Sequence, residues 1–157
     1  MRFEQLNEGV WAMTYLVVDE STKEAALVDP VYDFMEIYLT HLEAEGLNLR
    51  YAIATHTHAD HITACFSLRE QTGCEYVMFH NTASLGVSTL VKDGDTFNMG
   101  SVPFTFHAAP GHTNDSMIVH LSRRWYGLSL YPFLVIHEKY YPLQQRVLPP
   151  LPCPKQL

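Results

Sequence analysis

Apolar residues in the first 121 positions fall into short runs separated by polar turns, which is typical of strands in a small α/β protein. Strands are predicted over 14–18, 25–28, 51–55, 76–79 and 117–121, and a hairpin is predicted over 97–108 with its turn at Gly100-Ser101. Helical patterns alternate with these runs. This order favours an α/β fold whose active groups lie at the ends of strands.

Two helices are predicted between the strands. The first has apolar residues at helical spacing and a natural stop at Gly46, and its periodic positions are Met35, Tyr38, Leu39 and Leu42. Asp33 and Glu36, three residues apart, resemble a capping box at its start. The second helix is predicted over 62–72, ending at Gly73.

The largest cluster of potential metal-binding side chains lies directly after the strand at 51–55, in the pattern H-x-H-x-D-H. It consists of His56, His58, Asp60 and His61. Residues two apart on extended backbone project to one side, so the first two imidazoles can converge. The aspartate and the third histidine then stand at the turn into a helix and can face the same cavity. Imidazole and carboxylate donors are suited to Zn or Fe-type ions.

A further histidine occurs at a second strand end. Pro110-Gly111 makes a turn after the predicted hairpin, and this turn presents His112. A single turn histidine is a weak signal. Next to a complete histidine cluster, it is the natural further metal ligand.

Composition narrows the class of protein. The 157 residues carry a formal net charge of −7, which argues against nucleic acid as a partner. No apolar run approaches the ~20 residues of a membrane span, and the polar N-terminus does not resemble a secretory signal. Three cysteines without paired spacing make a disulfide scaffold unlikely and favour a reducing, cytoplasmic location.

Charge and proline content divide the chain in two. Residues 1–115 hold 16 Asp/Glu against 5 Lys/Arg, whereas 116–157 hold five Lys/Arg and only Glu138. Six of the nine prolines lie in the last 26 residues, where they disfavour helices and central strands. We therefore predict an ordered domain over 1–121 and an atypical Pro-rich, basic tail over 122–157.

The H-x-H-x-D-H motif and the later Pro-Gly-His-Thr turn together resemble the metallo-β-lactamase-fold superfamily. Val28-Asp29-Pro30 and the stretch 92–96 are also similar to it. The resemblance implies an α/β fold, a metallo-β-lactamase-like αββα sandwich, with metal at the mouth between two sheets. Thr63-Ala64 follows the motif where glyoxalase II carries a glycine pair, so the chain looks more like the persulfide dioxygenase branch.

Each branch implies its own cofactor and substrate. The dioxygenase reading implies one Fe(II) per chain held by His56, His112 and a later aspartate, and oxidation of glutathione persulfide to sulfite. The hydrolase reading implies one or two Zn(II) and a glutathione thioester. One zinc would bind His56, His58 and His112, and the other would bind Asp60 and His61. We assign Asp60 to the ligand set and to catalysis.

The chain departs from the family at the later aspartate. The family places this residue in a Gly-Asp turn, and here Gly127 is followed by Leu128, which has no donor atom. A later histidine of the family has no match either. We therefore predict an incomplete C-terminal half and weaker metal binding, and a degenerate metal-binding domain without activity remains an alternative.

Overall fold

The computed structural model describes residues 1–7 and 12–121 and the backbone of Leu134–Val135. A single turn of 3₁₀ helix, Tyr32–Phe34, precedes the first α-helix. The strands are β1 Arg2–Gln5, β2 Tyr15–Asp19, β3 Glu24–Val28, β4 Asn48–Ile53, β5 Glu75–Phe79, β6 Thr89–Val91, β7 Thr96–Met99, β8 Val102–Ala108, β9 Met117–His120 and β10 Leu134–Val135, and the helices are α1 Met35–Glu45 and α2 Cys65–Thr72.

The first sheet has six strands in the order β1-β2-β3-β4-β5-β6. The strands β1 to β3 are antiparallel, and β3 to β6 run parallel. The central strands bury both faces, which explains why their sequences are continuous apolar runs. A register shift opposite Ala25 and Ala26 places Leu49 and Tyr51 on opposite faces of the sheet, as a β-bulge at Arg50 requires.

Each face of this sheet covers its own core. On one face, Tyr38 and Leu42 of α1 pack with Cys65 and Leu68 of α2 against the sheet. On the other face lies the second sheet, in the order β10-β9-β8-β7. Phe104 belongs to the core between the two sheets and is fully buried there. The described residues thus form a helical layer, a six-stranded sheet and a four-stranded sheet.

Most elements predicted from the sequence are confirmed, including both helix stops and the hairpin at Gly100-Ser101. The predicted start of α2 at residue 62 is wrong, because residues 62–64 pair with 30–32 through backbone hydrogen bonds and a bridge from Val31 to Thr63. The predicted capping box at Asp33 is also wrong. Phe34 precedes α1 and makes no side-chain cap.

Several sequence-based predictions fall beyond the part of the chain that the structure describes. They concern Leu128, the proposed tail over 122–157 and the proline-rich segment, of which only the backbone of β10 is described. Within the described residues, the longer α-helix has 11 residues, and no helix there is long and apolar enough to cross a membrane.

The two sheets are joined at the edge formed by the β2–β3 and β7–β8 turns. The Asp19 carboxylate accepts hydrogen bonds from Ser21 in its own turn and from Ser101 in the other turn. Gly100, with φ +56°, approaches so closely that an added Cβ would lie 2.2 Å from Asp19 Oδ2. Because of this contact, we expect substitutions at Gly100 to destabilise the fold.

We expect Gly100→Ala to lower the free energy of unfolding by at least ~2 kcal/mol. The left-handed backbone costs a non-glycine residue roughly 1–2 kcal/mol, and displacing Asp19 disturbs charge-assisted bonds worth roughly 1.5–3 kcal/mol. Gly94→Ala is the matched control, because Gly94 has φ +81° and nothing within 4 Å of an added Cβ. Urea unfolding measures the free energy of unfolding of both variants. Equal decreases in the two would contradict the role assigned to Asp19.

Candidate metal centre

The candidate site lies at the edge of the first sheet where β3, β4 and β5 end. Because these strands are parallel, the residues after them share one edge. Asp29 follows β3, and Thr55 and His56 follow β4. The start of β9 in the second sheet reaches the same edge, where Met117 N–H donates to Thr55 O at 2.9 Å.

Four of the histidines singled out in the sequence lie together here. The ring centroid of His58 is 4.0 Å from that of His56 and 4.2 Å from that of His61. His112 comes from the other sheet, and its ring centroid lies 5.0 Å from that of His56. His56 is buried, whereas His112 is exposed. The structure therefore brings the H-x-H-x-D-H motif and the Pro-Gly-His turn into one cluster.

Asp29 orients two of the imidazoles, one of them through Thr55. Its Oδ2 accepts from Thr55 Oγ1 at 2.7 Å, so this hydroxyl must in turn accept from His56 Nδ1 at 2.9 Å. Its Oδ1 accepts from His58 Nε2 at 3.0 Å. The ring protons therefore lie on His56 Nδ1 and His58 Nε2, so the nitrogens with metal-binding character are His56 Nε2 and His58 Nδ1. Such outer hydrogen bonds fix the tautomer and orientation of metal-binding histidines.

Asp60 lies on the solvent side of the cluster. Its Oδ1 is 3.2 Å from His61 Nδ1 and 3.9 Å from His58 Nδ1, and its side chain is 58% exposed. Burial acts to raise the pKa of Asp60, but its own backbone N–H and the two neighbouring histidines hold the pKa below the ordinary value. Asp60 is therefore ionised at neutral pH and accessible from solvent.

Two of the clustered imidazoles favour the neutral form that binds metal. Burial lowers the pKa of His56, and the nearby His58 and His112 lower it further. Burial and His58 likewise lower the pKa of His61. Because a metal competes with protons for the same nitrogens, these shifts extend metal binding to lower pH.

We expect the metal-free chain to lose stability as the pH falls below the ordinary histidine pKa of 6.5. The folded pKa values of His56 and His61 lie below those of the unfolded chain, so the unfolded chain takes up protons first. The contribution of the two histidines to the free energy of unfolding is complete above pH 6.5 and declines below it. Urea unfolding at several pH values measures the slope, and a double His→Gln variant at these positions should flatten it. An unchanged slope in that variant would count against the assignment.

The donor set fits a divalent ion. Two groups have donor atoms within 4.8 Å of one another: His58 with Asp60 and His61, and His56 and His58 with Asp29, which orients these imidazoles. Metal–nitrogen bonds of ~2.0–2.1 Å bring ligand atoms to within roughly 4 Å, so small adjustments suffice. Nitrogen and oxygen donors suit Zn(II) or Fe(II) rather than Ca(II).

The sequence alone gives Asp29 no role beyond the resemblance of Val28-Asp29-Pro30 to the family. The available signal was its position directly after a buried parallel strand, next to the strand that leads into the histidine motif. A carboxylate there lies at the same sheet edge as the motif. Its φ of +50°, uncommon for a residue other than glycine, marks it further.

Residues 12–124 match the metallo-beta-lactamase superfamily, and the chain belongs to this superfamily. Its fold implies binding of divalent metal. The chain is similar to the crystal structure of ETHE1 from Myxococcus xanthus, with a TM-score of 0.73 and 39% identity over 77% of this chain and 54% of that one. The predicted metallo-β-lactamase fold is confirmed.

Two curated relatives are similar to this chain over part of their length. Persulfide dioxygenase ETHE1, mitochondrial, of Homo sapiens is 37% identical over 101 residues, which cover 64% of this chain and 39% of that protein. A probable hydroxyacylglutathione hydrolase of Schizosaccharomyces pombe is 31% identical over 124 residues, covering 74% of this chain and 48% of the relative. The chain thus spans less than half the length of either relative. The predicted resemblance to both branches of the superfamily is confirmed.

Proposed function

We propose that this chain binds one Fe(II) and oxidises the persulfide of a small thiol, glutathione persulfide, to sulfite and the free thiol. The observation that carries the proposal is the 37–39% identity to two proteins named ETHE1, one of them a persulfide dioxygenase. The paired imidazoles of His56 and His112, with ring centroids 5.0 Å apart, support it. They supply two of the three ligands in a two-histidine, one-carboxylate iron site.

The reaction balances with O₂ as the oxidant. Glutathione persulfide, O₂ and water give glutathione, sulfite and two protons. The S–S bond breaks and the persulfide as a whole loses four electrons, which reduce the two atoms of O₂. Fe(II), when bound, would supply open coordination positions for O₂ and a sulfur ligand.

The residues around the metal have distinct proposed roles. His56 and His112 hold the ion, and Asp29 with Thr55 orients the imidazole of His56. Asp60 is ionised and exposed, so it is available as the catalytic proton acceptor or as a ligand with His61. The remaining carboxylate of a complete iron site has no counterpart at Leu128, and we therefore propose that iron is held more weakly than in a complete homologue.

A dinuclear thioester hydrolase is the second candidate function. It is favoured by the similarity to a probable hydroxyacylglutathione hydrolase over 74% of the chain. His56, His58 and His112 would bind one zinc ion, and Asp60 with His61 would bind the other. Zinc lowers the pKa of bound water toward 7, which supplies a nucleophile for the thioester carbonyl.

The division of the chain into domains is also a proposal. We propose that residues 1–121 form the N-terminal part of the metallo-β-lactamase-like domain and that 122–157 form an atypical tail.

The cellular location is a proposal too. The buried free thiols of Cys65 and Cys74 support a reducing compartment. A cytoplasmic location stays a prediction, and the human relative is named as mitochondrial.

One experiment separates the candidates. The chain is loaded with Fe(II) without oxygen, and O₂ uptake and sulfite are measured with glutathione persulfide. The zinc-loaded chain is tested in parallel with a glutathione thioester. Equimolar O₂ uptake and sulfite formation, lost in His112→Ala, supports the oxygenase. Thioester cleavage without O₂ uptake supports the hydrolase, and metal binding without either activity identifies a degenerate domain.

A further inference from the structure

The candidate ligands are carried by loops of two different sheets. His56 and His58 follow β4 in the first sheet, and His112 lies in the β8–β9 loop of the second. The short distance between the rings of His56 and His112 therefore depends on contacts between the loops. These contacts decide whether the ligand set is assembled before a metal arrives.

Asp115 bonds to both loops at once. Its Oδ1 accepts from Thr57 N–H at 3.2 Å, and its Oδ2 accepts from Thr57 Oγ1 at 2.5 Å. Thr57 is the residue between His56 and His58. In its own loop, Asp115 Oδ1 accepts from Thr113 Oγ1 at 2.6 Å, and Thr113 directly follows His112.

The environment keeps this carboxylate charged. Asp115 is buried, with 5% of its surface exposed. Burial acts to raise the pKa of Asp115, but hydrogen bonds from the side chains of Thr113, Thr57 and Thr82 lower the pKa to about 2. Hydrogen bonds to a charged acceptor contribute more to stability than hydrogen bonds between neutral groups. The Asp115 carboxylate therefore joins the two loops strongly.

We propose that Asp115 is a positioning residue that holds the His112 loop against the His56–His58 loop and so assembles the metal-binding histidines in the metal-free protein. Its effect on metal affinity rests on the metal binding proposed above, but not on any particular substrate. Asp115 accepts hydrogen bonds from residues beside the proposed ligands. It acts through Thr57 and Thr113, each adjacent in sequence to a proposed ligand.

The chain offers a matched control at the other end of the sheets. Asp19 is also a buried carboxylate that joins a turn of the first sheet to a turn of the second, through Ser21 and Ser101. Asp19 lies opposite Glu24 in the β2–β3 strand register, at the start of β3, whereas the candidate site lies beyond the end of β3. Asp19→Asn should therefore lower stability without moving His112.

The decisive variants are Thr57→Val and Thr57→Ser. Valine has the shape of threonine without the hydroxyl that Asp115 binds, and serine retains the hydroxyl. Thr57 is exposed, so both variants should fold even if Asp115→Asn does not.

The first measurement is made without metal. Nuclear Overhauser contacts between the ring protons of His56 and His112 report whether the loops are together. We expect these contacts in the unaltered chain, in Thr57→Ser and in Asp19→Asn, and their loss in Thr57→Val and Asp115→Asn with the rest of the spectrum retained. Persistent contacts in folded Thr57→Val would overturn the proposal.

The second measurement is Co(II) and Zn(II) affinity by chelator competition, with the visible spectrum of Co(II) as a record of coordination geometry. We expect Thr57→Val to bind roughly 10–100-fold more weakly, the range seen for residues that orient ligands, and Thr57→Ser to bind normally. Normal affinity and spectrum in Thr57→Val would also overturn the proposal. Failure of the unaltered chain to bind metal would contradict the proposed function, and the metal-free measurement would still decide the role of Asp115.

Discussion

His112→Ala is expected to weaken Zn(II) or Co(II) binding by more than the roughly 10–100-fold that follows loss of an outer hydrogen bond. The reason is that His112 supplies the imidazole from the second sheet, with its ring centroid 5.0 Å from that of His56. Because His112 is exposed, the free energy of unfolding should change by less than ~0.5 kcal/mol. Chelator competition and urea unfolding measure the two quantities separately.

His107→Ala is the control for this experiment. His107 lies on β8, in the same hairpin as the His112 loop, and its ring faces that of His120 at 6.1 Å, outside the cluster. Its loss should leave metal affinity unchanged. Equal weakening in both variants would show that His112 acts on the fold rather than on the metal.

Phe104→Ala should be the most destabilising of the substitutions considered, lowering the free energy of unfolding by ~3–5 kcal/mol. Phe104 is fully buried between the two sheets, with its ring 5.2 Å from that of Phe97 and 6.3 Å from that of Tyr51. Removing it leaves a cavity where the sheets meet. Since domains of this size are stable by only ~5–15 kcal/mol, much of the stability would be lost.

The matched substitution is Phe66→Ala on the first turn of α2. Phe66 is 47% exposed, so its removal should cost well under half as much. Urea unfolding of both variants tests the comparison. A similar loss in the two would mean that the inter-sheet core contributes less than its burial indicates.

Local patterning predicted the elements that carry the site. Continuous apolar runs identified the central strands β3, β4 and β5, because strands buried on both faces have no polar side. Gly46 and Gly73 predicted both helix ends. Local signals were weaker where polar residues form a strand, as in β1, or where a strand is only three residues long, as in β6, and neither strand was predicted.

The start of α2 shows the limit of a local pattern. Residues 62–64 read as helix, but the backbone of 30–32 offers them hydrogen bonds across the sheet edge. Periodicity along one segment carries no information about such a partner. The same holds for Asp33, whose position in a 3₁₀ turn precludes the expected cap.

The identities of the histidine ligands could be proposed from the chain alone, because H-x-H-x-D-H places its donors within six residues and strand geometry directs them to one side. Their partners could not, since those residues are distant in sequence. Asp29 lies 29 residues from His58 and fixes its tautomer, and Asp115 lies 58 residues from Thr57 and joins the two loops. These contacts exist only once parallel strands align their ends and the second sheet packs on the first. Short-range geometry therefore specifies which side chains can bind metal. The alignment of β3 with β4 specifies which ring nitrogens face the metal, and the packing of the second sheet specifies how closely His112 approaches.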